Sequence, residues 1–453
     1  MTPQPPANPL NSDNTSSDFS QGSYYEVSIP LAQSTDQELL AHYRLWVPAN
    51  VVSLRGLIVK QHGCGDPAKV TGLDHANDLQ WQALAAKHQF ALLGTQLPAV
   101  YPMCVDEAAE DRVAEQSYLD ALSALAEKSH RPELDQIPWA LWGHSGGADW
   151  AMQMLHHYPE RVVAVVNVRC GGILLSSGTS EILNLNPESV PEMLDVPVLW
   201  TIGEREPHVQ QCVTLPGQIF SKFRKAGAIW AIAVEANAGH ESGDTRFLAI
   251  PYLDAILAAR LTDRTPLQPI DAAQGWLGNP STHDVTLAEQ YQGNALEAAW
   301  LPDEKTARVW QQYITGNTWA QLRNGFCRVG EKFSVLRLMQ YSAESCYSSK
   351  ITPTRKPDAP THVRVTRLGE EVVLTWRFLP DLENGLPAFR IYRGSALLKT
   401  IQGQGYNFGD APVPPDVVLE FRDQIIKEGA IYTVSAVNTL GESVSQPMQL
   451  SEQ

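Results

Sequence analysis

A serine sits among glycines in Gly143-His144-Ser145-Gly146-Gly147, and its flanks give it a setting. Ala140-Leu141-Trp142 before it reads as the end of a strand, and Ala148 to His157 after it as a helix. A G-x-S-x-G at such a turn forces the serine backbone into a strained conformation and lifts its hydroxyl above the sheet edge, with small neighbours leaving room. A serine hydroxyl is a poor nucleophile near neutral pH, so it needs a base within hydrogen-bond reach and a third group to hold that base. Acyl transfer through a covalent intermediate on Ser145 is the chemistry this setting would serve.

The elements that must carry these groups are legible upstream and downstream. Short apolar or β-branched runs alternate with amphipathic stretches from Ser23 to about Leu261, the pattern of strands and helices in a mostly parallel sheet. The strands predicted are Tyr24–Ile29, Tyr43–Val47, Gly56–Gln61, Phe90–Gly94, Trp139–Gly143, Val162–Val168, Val196–Gly203 and Trp230–Glu235. Helices are predicted over Ala76–His88, Arg112–Lys128, Ala148–His157, Pro216–Ala226 and Thr245–Arg260.

With the serine motif in that frame, residues 23 to 262 resemble the α/β-hydrolase family, which implies an eight-stranded, mostly parallel sheet flanked by helices. The resemblance carries the nucleophile role onto Ser145 and sets the chain order serine, acid, histidine. The histidine after the last strand is His240, in Ala238-Gly239-His240-Glu241; His208 and His283 are the fallbacks. The acid should hang from the loop after Val198 to Gly203, which reads Glu204-Arg205-Glu206-Pro207. Glu206 is favoured by the family's spacing, Glu204 stays open, and aspartate is commoner at this place. His62-Gly63-Cys64-Gly65 resembles the H-G-G-G loop of lipases and esterases with one glycine replaced. The backbone N–H groups of Cys64 and Gly146 are the candidate oxyanion donors, with Gly63 as the alternative to Cys64.

The resemblance implies no cofactor or metal, and the six cysteines show no C-x-x-C spacing. The family's strand order brings loops together in a way that suggests three disulfides, Cys64–Cys104, Cys170–Cys212 and Cys327–Cys346, and hence an oxidising compartment. Unpaired buried thiols are the alternative. Trp81, Tyr101 and Trp150 could form a sugar or aryl platform or be core, and Gly171 to Pro191 could be a lid or a surface loop.

Across 453 residues, too many for one core, 43% are hydrophobic and 19% charged, and the formal charge of -16 comes with no dense basic cluster. A nucleic-acid partner is therefore not expected. No apolar run is long enough for a membrane span. Residues 1–22 read as a flexible lead-in, without the cationic and apolar parts of a secretory signal. The expectation is a secreted or periplasmic protein shown without its signal, with a cytoplasmic one as the alternative.

From Thr262 to about Thr354 the strand signal fades around one helical stretch, Asp303–Tyr313, so residues 263–354 read as a connecting segment anchored by Trp300, Trp310 and Trp319. After Pro357 short alternating strands appear, clearest at Val363–Val365, Val372–Trp376, Phe389–Tyr392, Leu398–Ile401 and Ile431–Asn438. Pro357-Asp358-Ala359-Pro360, Leu374-Thr375-Trp376, Tyr392 and Tyr432 to Asn438 followed by Gly441-Glu442 make residues 355–453 resemble a fibronectin type III module. A hydrolase followed by such a module resembles secreted enzymes that act on polymers. The expected activity is serine carboxylesterase on carbohydrate esters (acetyl, feruloyl or uronoyl). The alternatives are a polyester depolymerase, a serine peptidase of the same fold, or a non-catalytic scaffold or adhesion protein.

Overall fold

The computed structural model describes residues 22–31, 40–49, 51–64, 72–97, 113–173, 185–236, 238–243, 245–261, 267–315, 355–378, 387–401, 419–424, 429–438 and 440–450. Eight strands form one sheet: β1 (Gly22–Pro30), β2 (Leu40–Pro48), β3 (Gly56–Gln61), β4 (Phe90–Gln96), β5 (Trp139–His144), β6 (Val162–Val168), β7 (Val198–Gly203) and β8 (Trp230–Glu235). Their order is β1-β2-β4-β3-β5-β6-β7-β8. β2 is antiparallel to both β1 and β4, and every pairing from β4 to β8 is parallel. This mixed sheet with its helices fits the α/β-hydrolase fold.

The central parallel strands β3, β5, β6 and β7 are wholly buried, which is why they read as largely apolar runs, whereas β1 at the edge alternates. Alternate residues feed two cores. Leu57 and Val59 pack on one face with α2 (Val113–Ser129), α3 (Gly146–His157) and α4 (Leu215–Lys225). Ile58 packs on the other with α1 (Leu79–Lys87), α5 (Arg246–Arg260) and α6 (Glu304–Ile314).

The helix predicted from Ala76 starts later, because Asp78 accepts from the Gln80 and Trp81 amides (3.0 and 3.2 Å) and caps α1. A 3-10 turn, Leu73–Asn77, precedes it. Asp78 also meets Arg246 of α5 at 2.6 Å, both side chains fully buried, so the cap ties two helices together.

Residues 267–315 of the connecting segment carry more regular structure than their sequence suggests. β9 (Trp276–Gly278), β10 (Val285–Leu287) and β11 (Ala299–Leu301) form a small antiparallel sheet. Three-residue strands are too short to show a period. Trp300 and Trp310 are buried in the core they share with α1 and α5, and Trp310 Nε1–H donates to Ile232 O of β8 at 2.8 Å. Trp319 lies outside the described residues.

The C-terminal part is all β. One sheet runs β12 (Thr361–Leu368), β13 (Glu371–Arg377), β16 (Glu420–Asp423), and the other β15 (Ala396–Ile401), β14 (Ala388–Arg393), β17 (Ile431–Asn438), β18 (Gly441–Val444), with β19 (Met448–Gln449) on β17. Both sheets feed one core that includes Val363, Leu374, Trp376, Phe389, Ile391, Tyr432 and Val434. The short strands β16, β18 and β19 were not legible in the sequence.

Among the described residues, no helix is long and apolar enough to cross a membrane.

Candidate active site

Ser145 joins β5 to α3 with φ 55° and ψ -124°, a backbone region that costs a non-glycine residue of order 1–3 kcal/mol. The flanking glycines are there because nothing larger fits. A Cβ on Gly143 would lie 2.1 Å from Gly147 O, and one on Gly147 would lie 2.4 Å from both Gln61 O and His62 O. The Ser145 amide donates to Val168 O at 2.9 Å, which pins the turn to β6. Gly146 is the first residue of α3, so its N–H has no intrahelical acceptor and points from the positive end of the helix dipole.

The structure brings three of the predicted side chains together. Ser145 Oγ and His240 Nε2 are 2.8 Å apart, and His240 Nδ1 and Glu206 Oε1 are 2.8 Å apart. A carboxylate only accepts, so Nδ1 carries the proton and donates to Glu206; Nε2 is then left to accept from the serine hydroxyl. Glu206 is buried at the start of the β7–α4 connection, and its Oε1 also accepts from the His208 amide at 3.0 Å. Burial pushes its carboxyl pKa up, but the hydrogen bond and charge of His240, the His208 amide and Arg169 together hold it below the ordinary 4.5. Glu204 is exposed, with its amide bonded to Glu235 O at 3.0 Å. Of the fallback histidines, His208 packs edge-on against His240, with ring centres 4.7 Å apart, and His283 lies in the β9–β10 turn.

The loop expected to carry oxyanion donors is seated by His62, wholly buried, which accepts from the Leu97 amide through Nε2 at 2.8 Å and donates to Gly63 O through Nδ1. Burial drives its pKa down to about 4, and the bond to Gly63 O only partly offsets this. Gly63 faces the serine closely: a Cβ there would lie 2.9 Å from Ser145 Cβ and 3.0 Å from His144 O. Cys64 is half-buried and disulfide-bonded. Its expected partner Cys104 lies outside the described residues, as do Gly65, Cys327 and Cys346.

Several groups behind His240 were missed from sequence. His144 donates through Nε2 to His240 O at 2.7 Å. Burial first, and the charge of His240 next, hold His144 well below the ordinary histidine pKa. Arg169, fully buried with φ 75°, donates to Glu241 O at 2.6 Å and Ser242 O at 3.2 Å and pairs with buried Glu235. Tyr313 of α6 donates to the same Glu235 at 2.7 Å. Gly243 (φ 58°) leaves space for this cluster, since a Cβ would lie 2.6 Å from the Glu235 carboxylate and 2.7 Å from Arg169 Nη2. Cys170 and Cys212 form the disulfide expected for them, and their sulfurs lie within 4.8 Å of a His240 ring nitrogen. The only sequence signal for the cluster is that charged residues close two apolar strands, Arg169 after β6 and Glu235 ending β8.

Of the two readings of the aromatic residues, Trp81 and Trp150 take the core one. Trp81 and Trp150 are buried in the two cores, and the Lys60 ammonium lies 4.4 Å from the ring centres of both Trp81 and Trp142. Helical spacing on the inward face put both indoles into packing. Tyr101 lies outside the described residues. Of the segment 171–191, residues 174–184 are likewise outside, and its first amides, Gly171 and Ile173, donate to buried Asp149 at 3.0 and 2.9 Å.

No protein-family model and no curated protein matches the chain. Among solved structures, a ferulic acid esterase aligns over 52% of this chain and 99% of its own at 13% identity, with a TM-score of 0.39. An S-formylglutathione hydrolase from Agrobacterium tumefaciens aligns over 54% and 98% at 12% identity, TM-score 0.36. The fluorophosphonate-binding serine hydrolase F of Staphylococcus aureus aligns over 52% and 99% at 10% identity, TM-score 0.36.

Proposed function

We propose that this protein is a serine carboxylesterase, with Ser145 as nucleophile, His240 as general base and acid, and Glu206 as the group that orients it. The observation that carries the reading is the unbroken relay of two 2.8 Å contacts from Glu206 through His240 to a strained Ser145. Ser145 Oγ attacks the ester carbonyl as its proton passes to His240 Nε2, and Glu206 stabilises the imidazolium. The amide of Gly146, with that of Cys64 or Gly63, receives the charge on the carbonyl oxygen. Collapse expels the alcohol, which takes the proton from His240; water, activated by the same imidazole, then releases the acid.

The finer reading, esters of carbohydrates in an extracellular or periplasmic setting, is supported by the hydrolase region followed by two antiparallel sheets and by the Cys170–Cys212 disulfide. The C-terminal sheets are read as a fibronectin type III module that acts as a spacer or docking surface. A panel of acetylated and feruloylated polysaccharides, glucuronate esters, polyhydroxyalkanoate and simple acyl esters, run with the protein and with Ser145→Ala, tests both levels. Esterase activity confined to the native chain and labelling of Ser145 by a fluorophosphonate are the expected results. Equal hydrolysis by both chains, or no labelling, overturns the serine mechanism; turnover of polyester but not carbohydrate esters overturns the substrate class.

A further inference from the structure

Glu206, His208 and His240 each offer one ligand atom, all within 4.8 Å of one another. Only part of that set is used by the relay. Glu206 Oε2 is buried and finds no hydrogen-bond partner among the described residues, and the His208 side chain is exposed beside the His240 ring. An orphaned carboxylate oxygen in a buried position costs desolvation with no compensating bond, and a cation is one group that would satisfy it.

We propose that these three residues form an inhibitory Zn2+ site, a reading that rests on the proposed role of His240. Two imidazoles and a carboxylate are ligands suited to zinc, whereas calcium and magnesium favour all-oxygen sets. Tetrahedral zinc with bonds of about 2.0–2.2 Å brings its ligand atoms to roughly 3.3 Å from one another, a contraction that the exposed His208 side chain can supply. Either nitrogen of His240 gives the same outcome. Zinc on Nδ1 displaces the proton now donated to Glu206, which leaves to solvent. Zinc on Nε2 takes the lone pair that accepts from Ser145. Both break the relay, so cation binding and ester hydrolysis exclude each other.

The test uses the full chain with Zn2+ and, as a spectroscopic stand-in, Co2+. Zn2+ should inhibit hydrolysis at micromolar concentration, with EDTA restoring the rate. His208→Ala should raise the half-inhibiting zinc concentration at least tenfold, read against that variant's own zinc-free rate. Co2+ should give the visible absorption of a tetrahedral site in the native chain, and this should be lost in His208→Ala and in Glu206→Gln. Equal inhibition of the native chain and His208→Ala, or no tetrahedral Co2+ signal, overturns the proposal. The Co2+ signal needs no turnover, so absence of esterase activity on every substrate would count against the functional reading alone.

Discussion

Ser145 has its backbone held by its own neighbours: Gly143 and Gly147 close the turn, and that backbone is met by backbone atoms of β6 and of residues 61–63. His240 is held instead by side chains scattered along the chain. Its carbonyl is gripped by His144, the next two carbonyls by Arg169, and Arg169 by Glu235, which is also bonded by Tyr313. A backbone-built turn fails when volume is added to it; a side-chain-built one fails when a polar partner is removed and a charge is left buried.

Removing the proposed nucleophile gives the largest effect. Ser145→Ala should lower kcat by about a millionfold, leaving only the background from binding and the oxyanion donors, as read by steady-state hydrolysis of an acyl ester. Glu206→Gln keeps the shape but offers an amide to Nδ1, and should cost about 10⁴ in kcat. The exposed Glu204→Gln should leave the rate as it is, and a large loss there would reverse the assignment of the acid.

The next test is aimed at the side-chain-built half. Arg169→Met strands the Glu235 carboxylate in a fully buried place and should cost about 3–5 kcal/mol in a urea melt. A cost below 1 kcal/mol would mean that the cluster does not hold the His240 loop, and the contrast between the two halves would collapse.

Acid probes the loop after β3. The folded pKa of His62 is depressed to about 4 from 6.5, so the stability contributed by its neutral form is complete above pH 6.5 and is lost as pH falls towards 4. At about 1.4 kcal/mol per pH unit the window amounts to roughly 3 kcal/mol. His62→Gln should flatten that part of the stability curve. Tyr313→Phe is the mildest change, about 1–3 kcal/mol for one bond to a buried carboxylate, with Arg169 still in place.

The same division explains what could be read from the residues alone. The turn at Ser145, the eight strands and the acid loop carry local signals, because periodicity and glycine spacing are written within a few residues of one another. Spacing taken from the resemblance favours Glu206 over Glu204, and its burial and contact with His240 agree with that choice. Arg169, Glu235 and Tyr313 are separated by 66 and 78 positions and meet only after β6, β8 and α6 are packed. Helical spacing favours core for Trp81 and Trp150, and both indoles are buried.

Tyr313 has a practical consequence for anyone dissecting the chain. A fragment ending just after α5, at Leu261, would hold all eight strands of the large sheet, yet it would strip the indole of Trp310 from its seat on β8 and take a phenol away from Glu235. The smallest piece worth expressing therefore runs through Thr315, and a shorter piece that aggregates or is inert would report a missing prop, not a missing nucleophile.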